Sequence, residues 1–204
     1  MQRIILASGS PRRRQLLEWA EVPFDVLVKD TAETWPPGLS AAEVPVHIAR
    51  NKALAVAKDQ LPPKSSAGHT HSPSSPRVIL AADTVVVLGD EIIGKPRDRS
   101  DAISILSRLS GQKHEVITGV ALLRGEEELC FADSTSVWFH DLGRKDIEGY
   151  VDRYQPYDKA GAYAIQEWIG VVGISRIEGD FYNVMGLPVS RVVRALRQLD
   201  GTGH

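Results

Sequence analysis

The segment Ile4-Ile5-Leu6-Ala7-Ser8-Gly9-Ser10-Pro11-Arg12-Arg13-Arg14 constrains the chain most. Four apolar residues read as a buried strand. Ser8-Gly9 turns the chain, Ser10 offers a helix N-cap, and Pro11 suits the first helical position. Three arginines then fill the first turn, the wrong sign for a helix N-terminus, whose free N–H groups and dipole favour negative charge. Arginines, small hydroxyls, a glycine and free N–H groups together make a pocket for a polyanion, most simply phosphate. The same residues also read as a basic surface turn following a strand.

Downstream, the pattern keeps alternating. Leu16, Leu17 and Ala20 give the first helix an apolar stripe, and residues 24–28 read as a second strand. After a proline-flanked loop at 30–38, Ser40-Ala41-Ala42-Glu43 matches a capping box and opens a helix to about Lys58, with Ile48, Leu54 and Ala55 inward. Residues 61–76 are rich in proline and serine and read as a flexible insertion. Within them His69 and His71 form an H-x-H pair that the setting makes a poor metal site. A strand at 78–82 ends at Asp83-Thr84, and a separate run at 85–88 turns at Gly89-Asp90 and returns through Ile92-Ile93. Ser100-Asp101 caps a helix, two long strands cover about 115–123 and 129–139, and a short helix covers 144–153. A glycine-rich stretch, 158–173, leads into a strand at 171–177, and the last helix starts at Pro188. Strands alternating with helices, with hairpins among them, predict an α/β fold with a mixed sheet. No internal repeat or linker divides the chain, which reads as one domain over 1–204 with a disordered tail at 201–204.

Bulk properties exclude several classes. With 24 basic and 26 acidic residues among 204, no broad polyelectrolyte surface for nucleic acid is implied. A lone cysteine, Cys130, excludes an internal disulfide framework, suits a reducing cytosol and reads as strand packing. Only four apolar residues follow Arg3 before Ser8-Gly9, which is not a signal peptide, and no apolar run approaches the roughly 20 residues that span a bilayer. The expectation is a cytoplasmic protein that binds neither membrane nor nucleic acid.

Candidate chemistry narrows further. Gly89-Asp90-Glu91-Ile92-Ile93-Gly94-Lys95 fits the front of a Walker A pattern, but Pro96 follows where a hydroxyl must hold magnesium. Lys95 survives as a lone cation at a strand end. Asp83 follows an apolar strand and reads equally as a turn aspartate or as a carboxylate that holds a metal or takes a proton from water. Glu33 on local sequence reads as solvent-facing. Lys159 lies beside Ala160-Gly161, where a ligand can approach closely, and His114 reads as structural. Cations with two carboxylates are what metal-assisted attack on a phosphate ester or anhydride requires.

Taken in order, Ser8-Gly9-Ser10-Pro11-Arg12-Arg13, Ala49-Arg50-Asn51-Lys52-Ala53, Ala82-Asp83-Thr84, Gly94-Lys95-Pro96, Ser110-Gly111-Gln112-Lys113-His114, Thr118-Gly119-Val120, Asp158-Lys159-Ala160-Gly161-Ala162-Tyr163 and Tyr182-Asn183-Val184-Met185-Gly186-Leu187-Pro188 resemble the Maf-like proteins over residues 4–199. The resemblance implies an elongated mixed sheet flanked by helices, with two lobes around a central cleft, similar to the inosine triphosphatase group. It implies a nucleoside triphosphate pyrophosphatase that uses a divalent metal, Mg²⁺ or Mn²⁺, and cuts between the α and β phosphates. By resemblance Asp83 is the general base, Glu33 and Asp83 are the carboxylates nearest metal and water, and Lys52 and Lys95 join them as catalytic cations. Ser8 and Arg13 match further phosphate-contacting positions. A homodimer is an arrangement that similar proteins adopt, though no stretch here marks an interface.

The family divides by base preference at three positions. Arg12, Thr84 and Gln166 match the dTTP/UTP branch; the 7-methyl-GTP branch carries tryptophan, glutamine and glutamate there. A neutral glutamine can donate to and accept from a uracil or thymine edge. The alternatives are action on 7-methyl-GTP or another modified nucleotide, and a nucleotide-binding regulator of division and septum formation. Departures from the family pattern are Ala164 before Ile165-Gln166, Glu167-Trp168 after it, Ala32 before Glu33, and the long 61–76 segment.

Overall fold

The computed structural model describes residues 2–60 and 76–201. The expected insertion, apart from Pro76, thus lies outside the described residues, as do His69, His71 and residues 202–204.

Seven strands form one mixed sheet among the described residues: β1 (Ile4–Leu6), β2 (Phe24–Val26), β3 (Ile79–Leu88), β4 (Glu91–Ile93), β5 (Lys113–Arg124), β6 (Glu127–Phe139) and β7 (Ile174–Glu178). Their order is β2-β1-β3-β5-β6-β7, and β4 pairs with β3 off that path. Seven α-helices accompany them among the described residues: α1 (Pro11–Trp19), α2 (Glu43–Gln60), α3 (Arg99–Leu109), α4 (Arg144–Tyr154), α5 (Trp168–Gly173), α6 (Phe181–Met185) and α7 (Val189–Leu199).

The two-residue period of a strand sorts the core. Leu80, Ala82 and Val86 of β3 join Leu16 and Leu17 of α1, Leu106 of α3, Ile147 of α4 and Leu196 of α7 in the larger cluster. Ile79 and Ala81 face the other way, with Ala49, Ala53 and Val56 of α2, and Val85 and Val87 meet Val44 and Ile48. The inward face of α2 is therefore these residues, while Leu54 and Ala55 are only half-buried. The expected capping box is formed: Glu43 accepts from the Ser40 N–H at 2.8 Å and Ser40 Oγ accepts from the Glu43 N–H at 3.4 Å.

Three boundaries differ from expectation. Residues 79–88 form one strand, because β5 pairs along it from Ile79 to Val87 without a break. Asp83 thus lies mid-strand, not at a strand end. Asp98, not Ser100 or Asp101, caps α3, its side chain accepting from the Asp101 N–H. Trp168–Gly173 is a short helix, and the following strand begins only at Ile174.

One topological detail positions the site. With β5 along one edge of β3, β1 and β4 must share the other: β1 pairs at Ile79–Leu80, β4 at Val86–Leu88. Between them, among the described residues, the edge of β3 at 81–85 is open. Both flanking strands deliver their C-terminal ends to this gap, β1 leading into the Ser8–Arg13 turn and β4 into Gly94-Lys95. Among the described residues no helix is long and apolar enough to cross a membrane.

Candidate active site

The gap opens into a cavity of about 340 Å³. Ser8, Arg12 and Arg13 reach it from the β1–α1 turn, Glu33 from the loop after β2, Lys52 from α2, Asp83 and Thr84 from β3, Lys95 from beyond β4, and Gln166 from the turn before α5. All nine side chains singled out in the sequence line this one space. Asp83 and Thr84 point to opposite sheet faces, and both reach it because the edge between them is unpaired.

Lys52 Nζ donates to Glu33 Oε1 and to Asp83 Oδ1, each at 2.7 Å, and Lys95 Nζ donates to Glu33 Oε2 at 2.9 Å. Partial desolvation pulls the Glu33 carboxyl upward, but the hydrogen bonds and charges of Lys52 and Lys95 outweigh it and hold the group down at about 2. A loop carboxylate that reads as solvent-facing is thus ionised throughout the neutral range.

Arg13 is the most telling cation. It is 9% exposed, and among the described residues its side chain donates to neutral acceptors alone: Gly186 O at 2.8 Å, Ser8 Oγ at 3.1 Å and Thr84 Oγ1 at 3.1 Å. Burial lowers its pKa, with Asp83 acting against that shift through space. A buried guanidinium without a carboxylate in ion-pair contact is costly. Three of its five N–H groups are used, so it retains donors for an anion. Ser10 caps α1, its side chain accepting from the Arg13 N–H, with Pro11 in the first turn and no acidic residue there.

The cavity lining carries Arg12, Arg13, Lys52, Lys95 and Lys159 against Glu33, Asp83 and Asp158. Five cations against three carboxylates favour an anionic ligand. Among the described residues no group of three or more His, Cys, Asp or Glu side chains converges. Two carboxylates alone suit a hard divalent cation of the Mg²⁺ type, which binds through one or two carboxylates and completes its shell with water and substrate phosphate. Glu33 and Asp83 therefore fit a cation that arrives with a phosphate ligand, not one caged by protein.

At the far end Arg12 donates to Asp158 Oδ2 at 3.2 Å, and Lys159, 8% exposed, donates to Asp158 Oδ1 at 2.8 Å. The two cations hold Asp158 below the usual carboxylate range despite its partial desolvation. Thr84 Oγ1 lies 2.9 Å from Thr118 Oγ1, which donates to Asn183 O at 3.1 Å.

The family model for Maf-like proteins matches residues 3–199. The chain belongs to the Maf-like family. A dTTP/UTP pyrophosphatase of Cytophaga hutchinsonii is 45% identical over 96% of this chain and 84% of its own length. One from Bacillus cytotoxicus is 43% identical over the full length of both. Among solved structures, that of the Staphylococcus aureus Ham1 protein is similar at 15% identity and a TM-score of 0.45, over 69% of this chain and 73% of that one.

The remaining sequence readings resolve simply. His114 is 1% exposed, its Nε2 lies 2.8 Å from Tyr163 Oη, and burial pushes its pKa down to about 4. It is a structural residue behind the cavity wall. Cys130 lies in β6, half-buried, its thiol pushed up to about 12 chiefly by desolvation. Gly89-Asp90 is the β3–β4 hairpin turn, not a phosphate loop. Asp158, the Gly186 carbonyl and the Glu167 carboxylate escaped sequence reasoning. A signal for the first was present, an acid beside the already noted Lys159.

Proposed function

We propose that this chain is a nucleoside triphosphate pyrophosphatase acting on dTTP and UTP, working as one domain over residues 1–204 in a cytoplasmic setting. The observation that carries the reading is the meeting of Lys52 with both Glu33 and Asp83 beside the anion-seeking Arg13, in a Maf-like chain whose relatives are named dTTP/UTP pyrophosphatases. The net positive lining suits a triphosphate.

In this reading Ser8, Arg13 and the N-terminus of α1 hold phosphate oxygens at one side, and Lys52 and Lys95 hold them at the other. Asp83, oriented by Lys52, takes a proton from the attacking water. The water oxygen bonds to the α-phosphorus, the bridge to the β-phosphorus breaks, and pyrophosphate leaves with its charge stabilised by Lys95 and Arg13. Glu33 and Asp83 would hold a divalent cation, Mg²⁺ or Mn²⁺, which when bound neutralises phosphate oxygens and acidifies water. Arg12, Thr84 and Gln166 select the base.

The test is product identification from UTP with Mg²⁺ or Mn²⁺. Pyrophosphate and UMP are expected; orthophosphate with UDP would overturn the cleavage site. A panel of triphosphates including 7-methyl-GTP tests the base, and preference for the methylated purine would overturn the Arg12/Thr84/Gln166 assignment.

A further inference from the structure

Gln166 sits inside a tight turn whose two ends are tied to one buried side chain. The turn closes through the Glu167 N–H, which donates to Ala164 O at 3.1 Å. Tyr150 of α4, 2% exposed, places its hydroxyl against both ends: it accepts from the Ala164 N–H at 3.2 Å and donates to Glu167 Oε2. Burial and the Glu167 carboxylate both raise the Tyr150 pKa, so the hydroxyl stays a neutral donor.

The turn is also fixed from below. A Cβ on Gly170 would lie 1.7 Å from Ile165 O, so the first turn of α5 can press against the Gln166 turn only because residue 170 is glycine. The second carboxylate oxygen of Glu167 lies 3.5 Å from Lys159 Nζ. Lys159 holds Asp158, and Asp158 holds Arg12. The contacts run without a break from Tyr150 through Glu167, Lys159 and Asp158 to Arg12.

That chain links the two places that the proposed function assigns to base selection: the Gln166 turn, which Tyr150 and Glu167 hold at its ends, and Arg12. Among the described residues Arg12 makes its ion pair with Asp158, and Gln166 lies on the short connection into α5. Two selectors on separate elements discriminate only if their separation is held, because misplacement of about 1 Å can cost a hundredfold.

We infer that Glu167 and Tyr150 are positioning residues for base selection: they lock the Gln166 turn and, through Lys159 and Asp158, set its distance from Arg12. The inference rests on the proposed reading of the site. Neither residue touches the phosphate end, so loss of the lock should blur the choice of base more than it slows bond cleavage.

The experiment compares wild type with Tyr150→Phe, Glu167→Gln and the double variant. It measures kcat and KM for UTP and CTP, calorimetric binding of UMP and CMP, and thermal unfolding. Tyr150→Phe keeps the ring packing and removes both hydrogen bonds of the hydroxyl. Expected are an approximately five- to tenfold rise in KM for UTP and a similar fall in the UTP-to-CTP ratio of kcat/KM, with kcat within about twofold. Glu167→Gln, which can still accept from Tyr150 but loses its charge on Lys159, should show a smaller fall, and the double variant should be non-additive.

Unchanged discrimination in Tyr150→Phe, by kinetics and by UMP-to-CMP binding, overturns the inference even if the melting temperature falls. Additive effects in the double variant overturn the linked chain. A wild type that cleaves no triphosphate refutes the proposed reaction alone, because the binding ratio still reports on positioning. A wild type that binds UMP and CMP equally overturns the inference, since no selection remains to be positioned.

Discussion

Lys52 Nζ donates to Asp83 Oδ1 at 2.7 Å across 31 residues of sequence, and the same ammonium reaches Glu33. A helix on one sheet face thereby meets a mid-strand carboxylate at the only place where the edge of β3, among the described residues, is left open. That meeting fixes the direction of Asp83.

Asp83→Asn should keep the hydrogen bond from Lys52 while removing the base. Turnover of UTP should fall by roughly 10²–10⁴, the usual range for a lost general base, with nucleotide binding largely intact. Lys52→Met removes the shared partner of two carboxylates, and kcat should fall by roughly 10²–10³. Steady-state kinetics with calorimetric binding checks both. Undiminished turnover in Asp83→Asn would take Asp83 out of the base role.

Arg13→Met should separate function from stability. The guanidinium is buried among neutral acceptors, so its charge is a cost to the folded state that an anionic ligand relieves. Activity should drop by about 10²-fold or more while the urea midpoint holds or rises. Arg13→Lys should not rescue activity, since an ammonium cannot reproduce the three-way fork. A large loss of stability in Arg13→Met would mark the residue as structural.

Acid should destabilise the protein in two separable windows. His114 has a folded pKa of about 4 against an ordinary 6.5, so the unfolded chain binds its proton first. Stability falls as pH drops from about 6.5 to about 4, by about 3 kcal/mol in all. Glu33 has a folded pKa of about 2 against 4.5, so its contribution is present above 4.5 and disappears as pH falls toward 2. That carboxylate is 43% exposed, so its share is modest. Urea unfolding across pH should lose the upper slope in His114→Gln and the lower slope in Glu33→Gln.

The sequence made the strands, most helices and the cationic first turn of α1 legible because those depend on near neighbours: period-two alternation, a serine cap, a proline at the first helical position. By sequence Asp83 reads as ending a strand, because the apolar run pauses at Asp83-Thr84; the unbroken partner β5 carries the strand through. Residues 171–173 read as the start of a strand because Val171 and Val172 favour strands; both are exposed, and the helix Trp168–Gly173 is instead held by Ile169 and the close approach at Gly170. Glu33 had no local signal at all. Its partners Lys52 and Lys95 lie 19 and 62 residues away, so only a resemblance could single it out before the fold did. The pairing of Arg12 with Asp158, 146 residues apart, likewise shows in no local pattern, although each residue sits beside a cation or motif that does.

Gly119 offers the sharpest test of how α2 is seated. It pairs with Asp83 across β3 and β5, and a Cβ built on it would lie 2.2 Å from the backbone of Pro45 and Val46 in the first turn of α2. These are backbone atoms, so no rotamer change can relieve the clash and the helix itself must shift. Gly119→Ala should therefore cost about 1–3 kcal/mol, the usual price of overpacking. Because α2 carries Lys52, the shift should also reduce kcat by about tenfold or more at temperatures where the variant is fully folded. Gly149→Ala in α4 is the control, since its Cβ would meet nothing within 4 Å. It should stabilise the helix by up to about 1 kcal/mol and leave kcat unchanged. If Gly119→Ala loses stability but keeps full kcat, Lys52 takes its position from contacts other than the seat of α2 on β5.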